Sequence, residues 1–328
     1  GLVRAWRLGV GMTDTRALWL ATLATGLWAV HPTGVDTVGQ VAGRSAGLST
    51  LLVLSALWAA TGPVPRPVLA GLAALAAPLA RETALILPAL LLVWHLCLPG
   101  PKALHRALPV WAGAALAAAL ILTLPRHRDL IAFSLDQRSP LDALRENLFA
   151  LTEMLRLWVR PWTIGAVPAQ PVAYGWGDGP TLVRLAGLAG AALAALALRR
   201  RWPLMALAVL WSLVALVPTN SVIWRVDPVA LRPLYLAGIG LTLALALPLS
   251  RSAPGRALAL GLMVPLAALT WHRAGLLADP VAYFADAAAH APDQTRPLIL
   301  WGLALANAGD TAGAEVVLSR TLSLDPGN

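Results

Sequence analysis

Asp36, Gln40 and Arg44 occupy a short polar break between two apolar runs, in the stretch WAVHPTGVDTVGQVAGRSAGLS from Trp28 to Ser49. Ionisable groups set between membrane-like runs are expensive to place and mark function at a membrane face. A carboxylate such as Asp36 can bind a divalent cation or a sugar hydroxyl. A guanidinium such as Arg44 can fork onto phosphate oxygens. The break begins at His31-Pro32, where His31 reads either as a helix-ending residue or as a substrate contact. A second break is tighter: Arg81-Glu82 sits between two apolar runs with only a residue or two to spare. There Arg81 can meet a lipid phosphate at headgroup level, or pair with Glu82 or Asp36 to pin helix ends together. Further charges group at Arg126-His127-Arg128-Asp129, at Arg225 and Asp227, and at Arg232. The chain has no His/Cys cluster with zinc spacing, no P-loop, no GxGxxG after a strand and no nucleophile elbow. Soluble-type nucleotide chemistry therefore has no support.

The elements that must position these groups are apolar. The 328 residues are 58% hydrophobic and 12% charged, with a mean hydropathy of +0.69. A soluble domain carries roughly 25% charge, so this composition fits a polytopic membrane protein. Many of the fourteen Trp fall near the ends of apolar runs, where an amphipathic ring suits the interface. The net charge of +9 does not point to nucleic acid, because the basic residues are scattered over loops between apolar runs. The single cysteine, Cys97, excludes an internal disulfide and reads as a buried inert thiol.

Apolar runs fall at 15–31, 46–61, 64–80, 83–98, 107–124, 181–198, 203–218, 233–249 and 256–271. Several are shorter than the roughly 20 residues a spanning helix prefers, and 64–80 and 83–98 suit re-entrant or strongly packed helices. If nine helices alternate, one side receives eleven of the 25 basic residues but only Asp14 of the 16 acids. The positive-inside rule makes that side cytoplasmic. His31, Asp36, Arg44, Arg81, Glu82 and Arg232 then share the outer face.

Residues 141–162 read as an amphipathic helix, with Leu141, Leu144, Leu148, Leu151, Leu155, Trp158 and Trp162 at steps of three and four. It lies either along the membrane surface or on the outer ends of the other helices. Residues 163–180 read as an outer loop. From about 279 the chain is more polar and repeats: Pro292 and Pro326, and Phe284 and Leu318, share one spacing. Gly302, Gly309, Ala314, Leu318 and Pro326 match the small and apolar positions of a tetratricopeptide repeat (TPR). One and a half repeats bury no solenoid core, so the tail is expected to continue past Asn328. The expected organisation is an all-α polytopic bundle over 1–275 and a TPR-like extracytoplasmic hairpin over 279–328.

The run HPTGVDTVGQVAGRSAGLSTLLVLSAL is similar to the HPxxxEAVAxxxGRxxLL segment of the transmembrane and TPR-containing O-mannosyltransferase-like family and its bacterial relatives. ARETALILPALLLVWHL resembles that family's KETAxxLPxLLLLYD segment, and ALRPLYLAGIG its AERxLYLPSIG segment. Order, spacing and the C-terminal tail agree over nearly the whole chain. The family belongs with the GT-C glycosyltransferases, which move a sugar from a polyprenyl-phosphate carrier to an extracytoplasmic acceptor, a protein Ser or Thr in the eukaryotic members. The resemblance implies that Arg81 and Arg232 hold the lipid phosphate and that His31, Asp36, Arg44 and Glu82 line the cavity. It also implies residence in a prokaryotic cytoplasmic membrane.

The chain departs from the family at Asp36, where Glu is usual, at Leu231, where the acid of AER stands, and at Ala237, where Pro stands. The family's first helix and the acidic pair of its first outer loop lie upstream of the match, so the chain is expected to be incomplete at its start. A general base must reach the acceptor hydroxyl, and no residue is assigned to that role. No cofactor is assigned beyond a divalent cation that Asp36 can take. Expected partners are membrane lipid, the polyprenyl-phosphate sugar donor, and a protein acceptor or TPR-bound protein. The alternative is a non-catalytic membrane scaffold with a partner-binding tail. A transporter is disfavoured, because the halves of the chain show no inverted repeat.

Overall fold

Each of the nine apolar runs folds into a helix, and proline opens most of them. The computed structural model describes residues 12–98, 104–137, 139–168, 175–220 and 228–325, the side chains of residues 104, 105 and 131 excepted. The runs become α1 (Asp14–Ala29), α3 (Arg44–Thr61), α4 (Pro67–Ala80), α5 (Leu87–Cys97), α6 (Leu104–Thr123), α9 (Gly179–Leu198), α10 (Pro203–Leu216), α11 (Pro233–Leu249) and α12 (Ala253–Leu276). A one-turn helix, α2 (Val35–Val38), fills the first polar break. Pro125–Gln137 (α7) and Pro140–Val159 (α8) follow α6. Pro280–His290 (α13), Thr295–Asn307 (α14) and Thr311–Leu324 (α15) close the chain. Proline stands at the first or second position of α4, α5 and α8–α13. Its fixed φ suits a first turn, where its missing N–H is no loss.

Among the described residues there is no strand. Four helices are long and apolar enough to cross a membrane: Val41–Thr61, Arg106–Thr123, Gly179–Leu198 and Ala253–Leu276. The others are short; the 14 residues of α4 or α10 rise only about 21 Å, against a hydrocarbon core of about 30 Å. These short helices fill the interior. One core joins α3, α4, α5, α8, α10 and α11, and a second joins α1, α5, α10, α11 and α12. By contrast α9 and α12 are 11% and 6% buried over their apolar windows, with Val183, Leu193, Val264 and Trp271 exposed. A helix apolar all round but scarcely covered by protein suits a lipid surrounding. The architecture is a helical bundle with four helices long and apolar enough to cross a membrane, compatible with an integral membrane protein.

Contacts fix the directions of α1, α10, α11 and α12. Arg256 lies over the Trp19 ring at 5.2 Å, and Thr270 donates to the Val30 carbonyl at 2.7 Å, so α1 and α12 run parallel. Trp28 Nε1 donates to the Tyr235 carbonyl at 2.8 Å, so α11 runs against α1. Trp211 Nε1 and Ser212 Oγ donate to the Leu236 and Ala237 carbonyls, so α10 runs against α11. Gly240 permits that last approach: a Cβ there would meet the Ala208 carbonyl and the Ser212 hydroxyl. As a result His31, Asp36, Arg81 and Arg232 fall at one end of the bundle, and Arg16, Arg199 and Arg256 at the other.

The amphipathic helix α8 packs by part of its leucine stripe, with Leu151 buried and Leu155 and Trp158 against the core, and by a small-residue face beside it. Ala143, Asn147, Ala150, Met154 and Leu157 are buried, while Leu141, Leu144 and Trp162 are exposed. The helix thus rests on the bundle and still presents apolar side chains outward. In the tail, α13–α15 pack in succession around Ala288, Leu298, Leu305, Ala314 and Val317. Gly302 faces Leu318 there, with no room for a side chain of its own. Pro326 lies outside the described residues.

Candidate functional site

Arg81 and Arg232 line one cleft. Arg81 follows the last residue of α4 in extended conformation, and Arg232 is the residue before Pro233 at the start of α11. Between them stand Ala46, Ser49 and Thr50 of α3, Ala215 and Thr219 at the end of α10, and Thr83. Arg81 Nη1 also meets the Ser45 hydroxyl at 3.4 Å. The hydroxyls of Thr50 and Thr219 donate to carbonyls of their own segments, Ala46 and Leu216. The two guanidiniums are therefore the main donors the cleft can offer, and two forks facing one space suit an oxyanion. The cleft holds about 20 Å³, room for about one water-sized group, so an anion reaches in with single oxygens.

Deeper on the same three helices lies an apolar cavity of about 270 Å³. Leu54 and Leu57 of α3, Leu207 and Trp211 of α10, and Ile239 and Leu243 of α11 wall it, with Leu20, Trp28 and Trp94. One to two helical turns separate Thr50 from Leu54 and Leu57, and Leu236 from Ile239 and Leu243. A polar cleft at the helix ends thus sits above an apolar cavity.

Asp36 belongs to a neighbouring network. Its carboxylate takes a hydrogen bond from Arg273 Nη2 at 3.3 Å, and the same arginine donates from Nη1 to the carbonyls of Ile164 at 2.7 Å and Gly165 at 2.9 Å. The expected alternative, a structural Arg81–Asp36 pair, is overturned: the partner of Asp36 is Arg273. The charge was hidden because α12 runs on past 271 to Leu276, which puts Arg273 inside a helix rather than in a loop. Burial raises the Asp36 carboxyl above the ordinary carboxylate value, against the pull of Arg273 and then Arg232.

Arg232 Nη2 donates to Gln40 Oε1 at 2.9 Å, Gln40 Nε2 donates to the Tyr283 hydroxyl at 3.1 Å, and that hydroxyl donates to the Ala166 carbonyl at 2.8 Å. Asp286, one turn on from Tyr283, accepts from the Ala166 amide at 2.7 Å. Neither Tyr283 nor Asp286 is evident from the sequence as a site residue; their spacing on one face of α13 is the only signal. The loop they hold, read as an outer loop over 163–180, is buried at Ile164 and Ala166. Residues 169–174 of that loop lie outside the described residues.

His31 has a structural position. Its ring stacks on Trp158 at 4.8 Å between centroids, Nε2 contacts the Trp158 carbonyl at 3.1 Å, and Nδ1 contacts the Thr33 hydroxyl at 2.9 Å. These partners fit a neutral imidazole with the proton on Nε2, both nitrogens occupied. Burial, only partly offset by the Trp158 carbonyl, lowers its pKa to about 4. This is the helix-ending reading. Arg44 and Glu82 are exposed, at the first residues of α3 and of the turn Glu82–Ile86. Arg126, Arg128 and Asp129 are exposed on α7, away from the cleft. Arg225 and Asp227 lie outside the described residues.

Among the described residues no three His, Cys, Asp or Glu gather to hold a metal ion, and the cation expected at Asp36 would share its carboxylate with Arg273. Set against known proteins, the chain matches no family model, no curated sequence and no solved structure.

Proposed function

We propose that the chain is the membrane core of a glycosyltransferase, mannosyltransferase-like in kind, that moves a sugar from a polyprenyl-phosphate carrier to an extracytoplasmic acceptor such as a protein Ser or Thr. One observation carries the reading. Arg81 and Arg232, from distant parts of the chain, face one cleft, and the helices that line it also line an apolar cavity below. A phosphate joined to a long apolar chain has that shape. The resemblance of the HPTGVD, RETALILP and LRPLYLAGIG segments adds to it.

In the proposed reaction the acceptor hydroxyl attacks the anomeric carbon. The new carbon–oxygen bond forms as the bond from that carbon to the phosphate oxygen breaks, and the hydroxyl proton passes to a base. Arg81 and Arg232 stabilise the charge that builds on the departing phosphate. Asp36, buried and bonded to Arg273, is a poor choice of base. Nine membrane passages, a cytoplasmic arginine-rich end and an extracytoplasmic TPR-like tail belong to the same proposal.

The scaffold reading keeps one observation in its favour: the described acids nearest the cleft are engaged, as Asp36 is, or exposed, as Glu82 is. Transfer of a radiolabelled sugar from a polyprenyl-phosphate donor separates the two. Arg81→Ala and Arg232→Ala in the full-length protein are expected to remove transfer while thermal unfolding stays within a few degrees of wild type. Full turnover in both variants would sink the site.

A further inference from the structure

The tail is tied to the cleft through a chain of side chains, and this tie goes beyond holding the tail in place. Arg232 donates to Gln40, Gln40 to Tyr283, and Tyr283 to the Ala166 carbonyl. Each donor after Arg232 also accepts from the previous group, so the bonds polarise one another in one direction. The Gln40 amide has its orientation fixed from both ends: its nitrogen faces an oxygen that already donates elsewhere, and its oxygen faces the guanidinium. Tyr283 is itself held, because the residue it bonds is gripped a second time by Asp286 of the same helix.

We propose that Gln40 and Tyr283 are positioning residues that aim the Arg232 guanidinium into the anion cleft, so that the Tyr283–Gln40 link raises the affinity of the cleft for phosphate. An arginine side chain has several rotatable bonds and loses about 2 kcal/mol of rotamer entropy when held. A guanidinium already fixed by one fork through Gln40 meets an oxyanion with much of that loss made in advance. Without Tyr283 the amide can turn, and Arg232 is free to swing toward Asp36, on which its charge already acts. The proposal rests on the phosphate reading of the Arg81–Arg232 cleft.

The test uses the full chain in lipid nanodiscs, with farnesyl phosphate as probe and farnesol as its uncharged control. Tyr283→Phe keeps the ring and removes the hydroxyl. It is expected to weaken farnesyl phosphate binding about five- to tenfold, the change for losing one neutral hydrogen bond. Gln40→Leu reaches the same link from the other side and is expected to match it. Farnesol binding should stay at the wild-type level in both. Asp286→Asn is the control for docking alone: it weakens the grip on Ala166 but leaves the Gln40 link intact, and phosphate binding should not change.

Wild-type affinity in Tyr283→Phe and Gln40→Leu, with Arg232→Ala weakened, overturns the positioning role and leaves the cleft standing. Equal losses in Asp286→Asn and Tyr283→Phe also overturn it, since general loosening of the tail would then explain both. Unchanged binding in Arg232→Ala itself sinks the phosphate reading and the proposal with it.

Discussion

Replacing Arg273 should damage the fold far more than replacing its partner. The guanidinium is buried and makes three bonds, two to main-chain carbonyls and one to Asp36. Arg273→Met keeps the length of the stem but strands both carbonyls and leaves the Asp36 carboxyl without its nearest cation. Each buried carbonyl left unpaired costs about 1–3 kcal/mol, and breaking one side of a buried ion pair costs about 3–5 kcal/mol in all. Asp36→Asn is different: an amide oxygen can still accept from Nη2, Arg273 keeps both carbonyls, and a carboxylate that burial disfavours is gone. Its cost should be smaller, about 1.5–3 kcal/mol, the worth of one hydrogen bond to a charged group, because Arg273 keeps its charge but loses its counter-ion.

The pH dependence carries the same logic. The folded-state pKa of Asp36 lies above its ordinary value, so the folded protein binds more protons than the unfolded chain between the two. Stability from this group is present at low pH and is lost as pH rises through the folded pKa. Thermal unfolding of detergent-solubilised protein, followed by tryptophan fluorescence from about pH 4 upward, reads both effects. Arg273→Met should lose stability at every pH, and Asp36→Asn should lose less and remove the pH-dependent part. Equal loss in the two variants would refute the reasoning, because the ion pair rather than the grip on two carbonyls would then be what holds α12.

His31 should behave in the opposite sense. Its folded-state pKa of about 4 lies below the ordinary 6.5, so stability should fall as pH drops from 6.5 toward 4, by at most about 1.4 kcal/mol per pH unit; His31→Gln should flatten that slope in the same unfolding scans. Gly240→Ala should cost at least about 1–3 kcal/mol by overpacking, since its Cβ meets the Ala208 carbonyl and Ser212 hydroxyl. Gly187→Ala on α9, where a Cβ meets nothing within 4 Å, should be neutral or raise stability by up to about 1 kcal/mol through helix propensity. Melting temperatures of the two alanine variants check the contrast.

The helices were readable because apolar runs punctuated by proline leave few alternatives; α4, α10 and α11 begin at the prolines that punctuate their runs. The sharing of one end of the bundle by Asp36, Arg81 and Arg232 was readable from alternation alone. The packing face of α8 was readable only in part: Leu151, Leu155 and Trp158 of its stripe meet the core, and Leu141, Leu144 and Trp162 do not. In water an apolar stripe marks the buried side, but beside lipid it can equally mark the outward side, while small and polar residues such as Ala143, Asn147 and Ala150 face protein. Arg273 was missed because an arginine after an apolar run reads as a flanking charge. Which acid it meets depends on the parallel course of α1 and α12, elements far apart in the chain. Tyr283 was missed, and Gln40, though named in the polar break, was given no role, for a related reason: neither is charged, and their role exists only where the tail meets that break.

The segment from Ile164 to Ala166 has one consequence for how this chain can change. Arg273 takes the first two carbonyls, Tyr283 the third, and Asp286 the amide between the second and third residues. All four bonds read main chain, which every residue but proline supplies alike. Side-chain identity there is constrained by space: the Cβ of Gly165 would come 2.7 Å from that of His290, and Ile164 and Ala166 are buried, Ile164 in the core. Two helices therefore seize the segment by its peptide groups, much as a clamp grips a rope irrespective of its colour, and substitutions that respect the available space leave the grip intact.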